Sequence, residues 1–235
     1  MAELSGRVAL VAGGAGAVGE GIVRAFLDNS ATVVVPSRSD DRLRTLRERL
    51  GEPKGLITIA GEVGSADGAL QVRERALAET GHIDSVVASV GGWWQGPDLV
   101  DVDPQTWHGV LDDNLTTHFT IARTFLPVVR DRSGSSYLFI VGDTSDYPVK
   151  GASLTTVTAS AVLGVFRALV REHRDDPVRI NSLYLGPLLT RDRPEGKETW
   201  LTADEVGTYA AHLASDEASM VSGAVLPLRG RPPRS

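Results

Sequence analysis

Seven short apolar runs punctuate the chain, at 8–12, 32–36, 56–60, 85–90, 137–141, 179–185 and 224–228. Apolar runs of five to seven residues suit parallel strands that are buried on both faces. Between them lie longer amphipathic stretches, which predict helices near 17–28, 39–50, 66–80, 104–130, 152–174 and 203–214. Strand and helix alternate from end to end. That order predicts an α/β fold with one doubly wound parallel sheet, helices on both faces and right-handed crossovers. No internal repeat, low-complexity tract or linker interrupts it, so residues 1–235 are expected to form a single domain. The tail 229–235, rich in Arg and Pro, is expected to be mobile.

Composition narrows the function classes. The 235 residues are 42% hydrophobic and 23% charged, which is ordinary for a globular protein. A net charge of −6 gives no basic footprint, so nucleic acid is not an expected partner. The chain has no cysteine, hence no disulfide and no thiolate metal site. The apolar runs are strand-sized, so no membrane-spanning helix is expected, and the first residues lack the pattern of a signal peptide. Together these point to a cytoplasmic protein.

The first apolar run leads directly into Gly13-Gly14-Ala15-Gly16-Ala17-Val18-Gly19 and then a helix. Glycines let backbone amides approach a pyrophosphate, and a helix N-terminus adds a favourable dipole. Gly14-x-Gly16-x-x-Gly19 between a strand and a helix fits a Rossmann-type dinucleotide site. An acid usually ends the second strand where the cofactor is NAD. Here Ser37-Arg38 stands instead, and no acid appears before Asp40. A guanidinium suits a 2′-phosphate, so NADP(H) is expected in preference to NAD(H).

With these landmarks the chain resembles the short-chain dehydrogenase/reductase family over nearly its whole length. The glycine loop matches the family's opening motif, with Ala17 where a glycine is usual. Glu62-Val63 resembles the pair that meets the adenine, and Ser89 and Gly91 lie in the segment after the fourth strand. Asn114 matches the active-site asparagine and Ser145 the catalytic serine, with Thr144 beside it. Residues 185–190, including Gly186 and Thr190, resemble the segment that receives the nicotinamide. Residues 211–226 match the family's C-terminal stretch.

One family feature is missing. The tyrosines are Tyr137, Tyr147, Tyr184 and Tyr209, and none is followed four residues later by lysine. The resemblance aligns Thr155 with the tyrosine that moves the substrate's proton, and Ala159 with the lysine that assists it. A threonine hydroxyl is too weak an acid for that role, and alanine supplies no cation. One reading is an oxidoreductase acting on a carbonyl or alcohol through a substitute acid. The candidates are Tyr147, with Lys150 nearby, and Asp143 or Asp146 if desolvation raises their pKa. The same acids are equally candidates to cap the next helix. The alternative reading is a non-catalytic NADP(H)-binding protein, a sensor or silent oligomer partner. A third is a scaffold that has lost the cofactor.

The substrate side is sparse. Trp93-Trp94 offers flat apolar area for a small, ring-bearing substrate, though an oligomer contact explains such a pair equally well. The segment 191–202 is short and charged, which predicts an open site. Tyr184 is expected to face the helices and carries no assigned role. His108 and His118 have no ligand-like spacing and read as packing or surface residues, and no metal is expected. By family analogy, the apolar faces of 115–129 and 161–170 imply a homo-oligomer.

Overall fold

The computed structural model describes residues 3–230. Its seven-stranded sheet runs in the order β3 (Leu56–Ala60), β2 (Thr32–Ser37), β1 (Val8–Ala12), β4 (Ser85–Ala88), β5 (Ser136–Gly142), β6 (Arg179–Leu185) and β9 (Val225–Leu228). Every pairing in it is parallel. Strand order reverses between β1 and β4, and the carboxyl ends there open the crevice where ligands bind in such sheets.

Period-two alternation explains why β1 reads as an unbroken apolar run. Ala9 and Val11 enter the core on one face, with α1 (Gly19–Asp28) and α7 (Ala203–Ala214). Val8, Leu10 and Ala12 enter the core on the other, with α3 (Ala66–Thr80), α5 (Thr117–Val129) and α6 (Ser153–Glu172). Both faces are covered, so both must be apolar. The outer helix α2 (Asp40–Arg49) starts where the Ser39 hydroxyl accepts from Arg42 N at 3.3 Å. It buries only Leu43 and Leu46, and its remaining positions are polar.

Three expectations need correction. The helix anticipated over 104–130 is not uniform. After α4 (Pro104–Leu111) the chain widens into a π-helical turn, Asp112–Thr116, before α5 begins. Such turns occur often at functional sites, and this one carries Asn114. Secondly, α6 is long and apolar enough to cross a membrane by length and composition alone. Its mean hydropathy of 1.5 comes from alanines, valines and leucines, of which Val162 and Leu163 lie buried against the sheet with Phe166. Thirdly, the expected mobile tail begins in contact with the body. Arg229 packs on Tyr147, and Gly230 lies so close to Thr199 that a Cβ there would be 1.7 Å from its carbonyl oxygen. Residues 231–235 lie outside the described residues.

Candidate active site

At the β1–β4 junction the two strand ends leave side by side. Ala12 pairs with Ala88, so Gly13 and Ser89 emerge as neighbours. A Cβ on Gly13 would sit 1.9 Å from the Ser89 carbonyl oxygen, and its φ is +79°. Glycine is required there by both space and conformation. Gly14 is buried against Val23 and Val35, which lets α1 pack closely on β2. Gly16 N donates to Gly13 O at 2.9 Å and turns the chain toward α1. No side chain caps the start of α1 at Val18, and Glu20 N turns back to Gly16 O at 3.0 Å, so the helix opens directly from the glycine loop with its dipole toward the cleft.

Gly16, Val18 and Gly19 line a cleft of about 580 Å³, as does Ala17, whose methyl group is part of its wall. Ser89, Gly91, Asn114, Gly186 and Thr190 line it further along. Ser37, Arg38, Glu62 and Val63 follow the ends of β2 and β3 on the same edge of the sheet. Arg38 is exposed and has no hydrogen bond or ion pair among the described residues. Ser37 Oγ accepts from Ser39 N at 3.2 Å, which shapes the turn that presents Arg38. Glu62 accepts from the Ser65 hydroxyl, and Val63 packs on the sheet's core. The glycine loop leading into the start of α1 fits a nicotinamide dinucleotide.

Asn114 holds the far wall. Its Oδ1 accepts from Gly92 N at 2.6 Å. Gly91 has φ +96°, and a Cβ there would lie 2.2 Å from the same oxygen. The segment that begins here carries Trp93, exposed and lining the cleft, and Trp94, half-buried. Thr155 Oγ1 donates to Trp94 O at 3.0 Å and accepts from Trp94 N at 3.0 Å. Ala159 contributes only a methyl group to the cleft. Neither residue presents a free donor to it.

Beyond β5 the chain makes one 3₁₀ turn, Asp143–Ser145. Side chains in such a turn step by about 120°, and the three residues go three ways. Asp143 faces the cleft, where a Cβ on Gly186 would be 3.5 Å from its Oδ2. Thr144 also reaches the cleft wall, but its hydroxyl donates to Thr155 O at 3.3 Å. Ser145 is not among the cleft-lining residues, and its Oγ lies 2.5 Å from the Tyr184 hydroxyl. Tyr184 OH donates to Asp143 O and accepts from Asp146 N, both at 3.0 Å. The Ser145 proton is thereby directed to Tyr184, not to the cleft. Burial pushes the Tyr184 phenol up, and its bond with Ser145 opposes that.

Tyr147 also lies off the cleft lining. It is half-exposed, its oxygen accepts from Arg229 Nη2 at 2.6 Å, and the guanidinium stacks 4.6 Å from the ring centroid. It has no bond to Lys150 among the described residues. Burial raises the Asp143 carboxyl pKa; the Arg229 charge and a backbone hydrogen bond oppose it, and Asp146 adds a smaller upward push. The alternative role of these acids as helix caps is not realised, because Ala152 starts α6 without any side-chain cap.

Tyr184, Arg191, His118 and Arg229 are the residues the sequence reading passed over. Arg191 pairs with Glu20 and donates to Ala15 O at 3.1 Å, tying the 190–200 segment to the glycine loop. That segment is short but folded: Leu188 and Leu201 pair as part of β7 (Leu188–Leu189) and β8 (Leu201–Thr202). Arg193 stacks on Trp200 with 4.6 Å to the ring centroid. Among the described residues no three His, Asp or Glu side chains are grouped as metal ligands.

Comparison with known proteins agrees with this architecture. The family model for short chain dehydrogenase matches residues 7–199. Cis-1,2-dihydrobenzene-1,2-diol dehydrogenase from Pseudomonas putida is 28% identical over 211 residues, covering 88% of this chain and 75% of the relative. Oxidoreductase UcpA from Escherichia coli strain K12 is 26% identical, covering 95% and 93%. A short-chain dehydrogenase/reductase from Serratia marcescens superposes with a TM-score of 0.87 over 97% of this chain and 98% of its own. At 22% identity that last likeness is one of fold. The family match spans most of the chain, and the cleft lies where the sheet's strand order reverses; the chain belongs to the short-chain dehydrogenase family.

Proposed function

We propose that this protein is an NADP(H)-dependent oxidoreductase that interconverts a carbonyl and an alcohol, with Asp143 as the proton donor in place of the missing tyrosine. The observation that carries the reading is the Asp143 carboxyl: it faces the cleft beside Gly186 and burial raises its pKa. A carboxyl whose pKa is raised by burial holds its proton more readily than an ordinary carboxylate, which suits a general acid. NADP(H), when bound, supplies or takes up hydride. In reduction Asp143 gives its proton to the carbonyl oxygen; in oxidation its carboxylate takes the alcohol's proton. Asn114 holds the cleft wall by way of Gly92, and Arg38 selects the 2′-phosphate.

Trp93 on the cleft wall favours a ring-bearing small molecule. Relatives named as dehydrogenases of cyclic cis-diols support that class. Self-association through α5 and α6 accompanies this reading. Phe119 is 53% exposed, and only a third of the apolar window of α6 is buried in one chain.

The engagement of Thr155 with Trp94 and the bare methyl of Ala159 favour the second reading, a protein that binds NADP(H) without turnover. Titration with NADPH and NADH, followed by tryptophan fluorescence, tests the common step. Tighter NADPH binding is expected, and equal or tighter NADH binding overturns the Arg38 assignment. Cyclic vicinal diols and their hydroxyketones then test catalysis. Asp143→Asn should lower turnover about 100-fold or more, and Tyr147→Phe should leave it nearly unchanged. Cofactor binding without turnover of any such substrate selects the second reading.

A further inference from the structure

His118 stands on the first turn of α5, four residues after Asn114, and both residues line the cleft. It is 3% exposed and stacks on Phe139 with ring centroids 5.7 Å apart. The ring's one polar neighbour among the described residues is the Val90 backbone carbonyl. Its Nδ1 is fully buried without a partner. Burial holds the ring neutral, with a pKa lowered to about 4.

A neutral imidazole carries one donor and one acceptor nitrogen. The Val90 carbonyl can take the donor. No described residue donates to the acceptor. Buried polar atoms without partners are rare in native proteins, and each calls for an explanation. Packing alone does not supply one, since leucine would fill the same space on Phe139 without leaving an orphan nitrogen.

Three other polar side chains of the same cleft have hydrogen bonds of their own. Asn114 Oδ1 accepts from Gly92 N, Thr158 Oγ1 donates to Leu154 O, and Thr155 is closed on Trp94. His118 therefore keeps an acceptor nitrogen that no described side chain uses. We propose that His118 is a ligand-binding residue whose neutral imidazole accepts a hydrogen bond from a hydroxyl group of the bound molecule. The hydroxyl comes from the ribose on the nicotinamide side of the cofactor or from the substrate. This assignment rests on the NADP(H) oxidoreductase reading above.

The test uses the full chain as wild type, His118→Leu and His118→Asn. The leucine removes the ring nitrogens, whereas the asparagine retains a donor and an acceptor. Three probes are titrated: NADPH, 2′,5′-ADP (which lacks the nicotinamide ribose), and cis-cyclohexane-1,2-diol in the presence of saturating NADP⁺. One lost hydrogen bond corresponds to about a tenfold loss of affinity. If the hydroxyl belongs to the cofactor, His118→Leu weakens NADPH tenfold, leaves 2′,5′-ADP unchanged, and His118→Asn recovers part of the loss. If it belongs to the substrate, both nucleotides bind as in wild type and the diol weakens instead. Unchanged binding of all three overturns the proposal, as does an equal loss for NADPH and 2′,5′-ADP, which would mark a general disturbance of the fold. Failure of the wild type to bind either nucleotide sinks the cofactor reading itself, and this proposal with it.

Discussion

Thr155 Oγ1 and the Trp94 backbone close a reciprocal pair: the hydroxyl accepts from Trp94 N and donates to Trp94 O, both at 3.0 Å. The position aligned with the family's tyrosine therefore serves as a fastener for the segment bearing Trp93. Thr155→Val keeps the shape and removes both bonds. It should cost about 1–3 kcal/mol, the price of leaving partly buried polar groups unpaired, read as a lower urea midpoint. Tryptophan emission should shift to the red. Thr155→Ser should restore both signals. A valine variant as stable as wild type would show that the fastener contributes nothing. Thr155→Tyr should not restore ordinary family chemistry, because it breaks the same pair.

Asp143 and Arg229 are coupled by charge, and the sign is testable. Burial raises the Asp143 pKa and Arg229 opposes it. Arg229→Gln leaves the burial effect less opposed, so the carboxyl stays protonated to higher pH. If Asp143 is the general acid, the alkaline limb of the reduction rate moves to higher pH in Arg229→Gln. A shift to lower pH, or none, in the pH–rate profile contradicts the coupling. Tyr147→Phe should leave the limb in place, since the phenol only accepts from Arg229.

Arg179 is a buried cation, 6% exposed, that opens β6 and ends α7. Its guanidinium donates to the carbonyls of Leu213, Ala218 and Ser215 at 2.5, 3.1 and 3.1 Å. Leu213 O belongs to the last turn of α7, at the negative end of the helix dipole, while Ser215 O and Ala218 O in the turn after it also accept from Ala218 N and Val221 N. Arg179→Met keeps the stem and removes the buried donor from all three. A loss of about 2–4 kcal/mol is expected in urea unfolding. A loss under about 0.5 kcal/mol, the range of neutral surface changes, would refute the capping role.

The strands were legible because both faces of the sheet are covered. The central strands are therefore mostly apolar on both faces, and the observed ends of β1, β3 and β6 coincide with the runs. The wide turn at Asp112–Thr116 was not legible, since the apolar period is helical on both sides of it. Motif spacing pointed to Ser145 as the family serine and left Tyr147, Asp143 and Asp146 open as candidate acids; it could not show that the 3₁₀ turn sends Ser145 to Tyr184 and Asp143 to the cleft. Tyr184 was rightly placed on the helix-covered face, in the core with Phe139 and Val141. What alternation cannot show is that its hydroxyl reaches past the strand end to Asp143 and Asp146. Arg191 and Arg229 escaped for a related reason: their partners are 171 and 82 residues away in the chain.

His118 should make the fold sensitive to mild acid. Burial disfavours the charged ring and lowers its pKa to about 4 in the folded chain, against 6.5 for an unperturbed histidine. Between those values the unfolded chain binds the extra proton and the folded chain does not. The contribution is therefore complete above pH 6.5 and is lost as pH falls toward 4, about 3 kcal/mol in all. Asp143 works in the opposite direction, since its raised pKa lets the folded chain hold a proton that the unfolded chain releases. The net curve mixes the two, so the informative quantity is a difference. Wild-type stability minus that of His118→Leu, from urea unfolding at pH 7.5, 6, 5 and 4.5, should fall steadily with acid. A difference that stays flat across that range would mean the imidazole charges freely in the folded state.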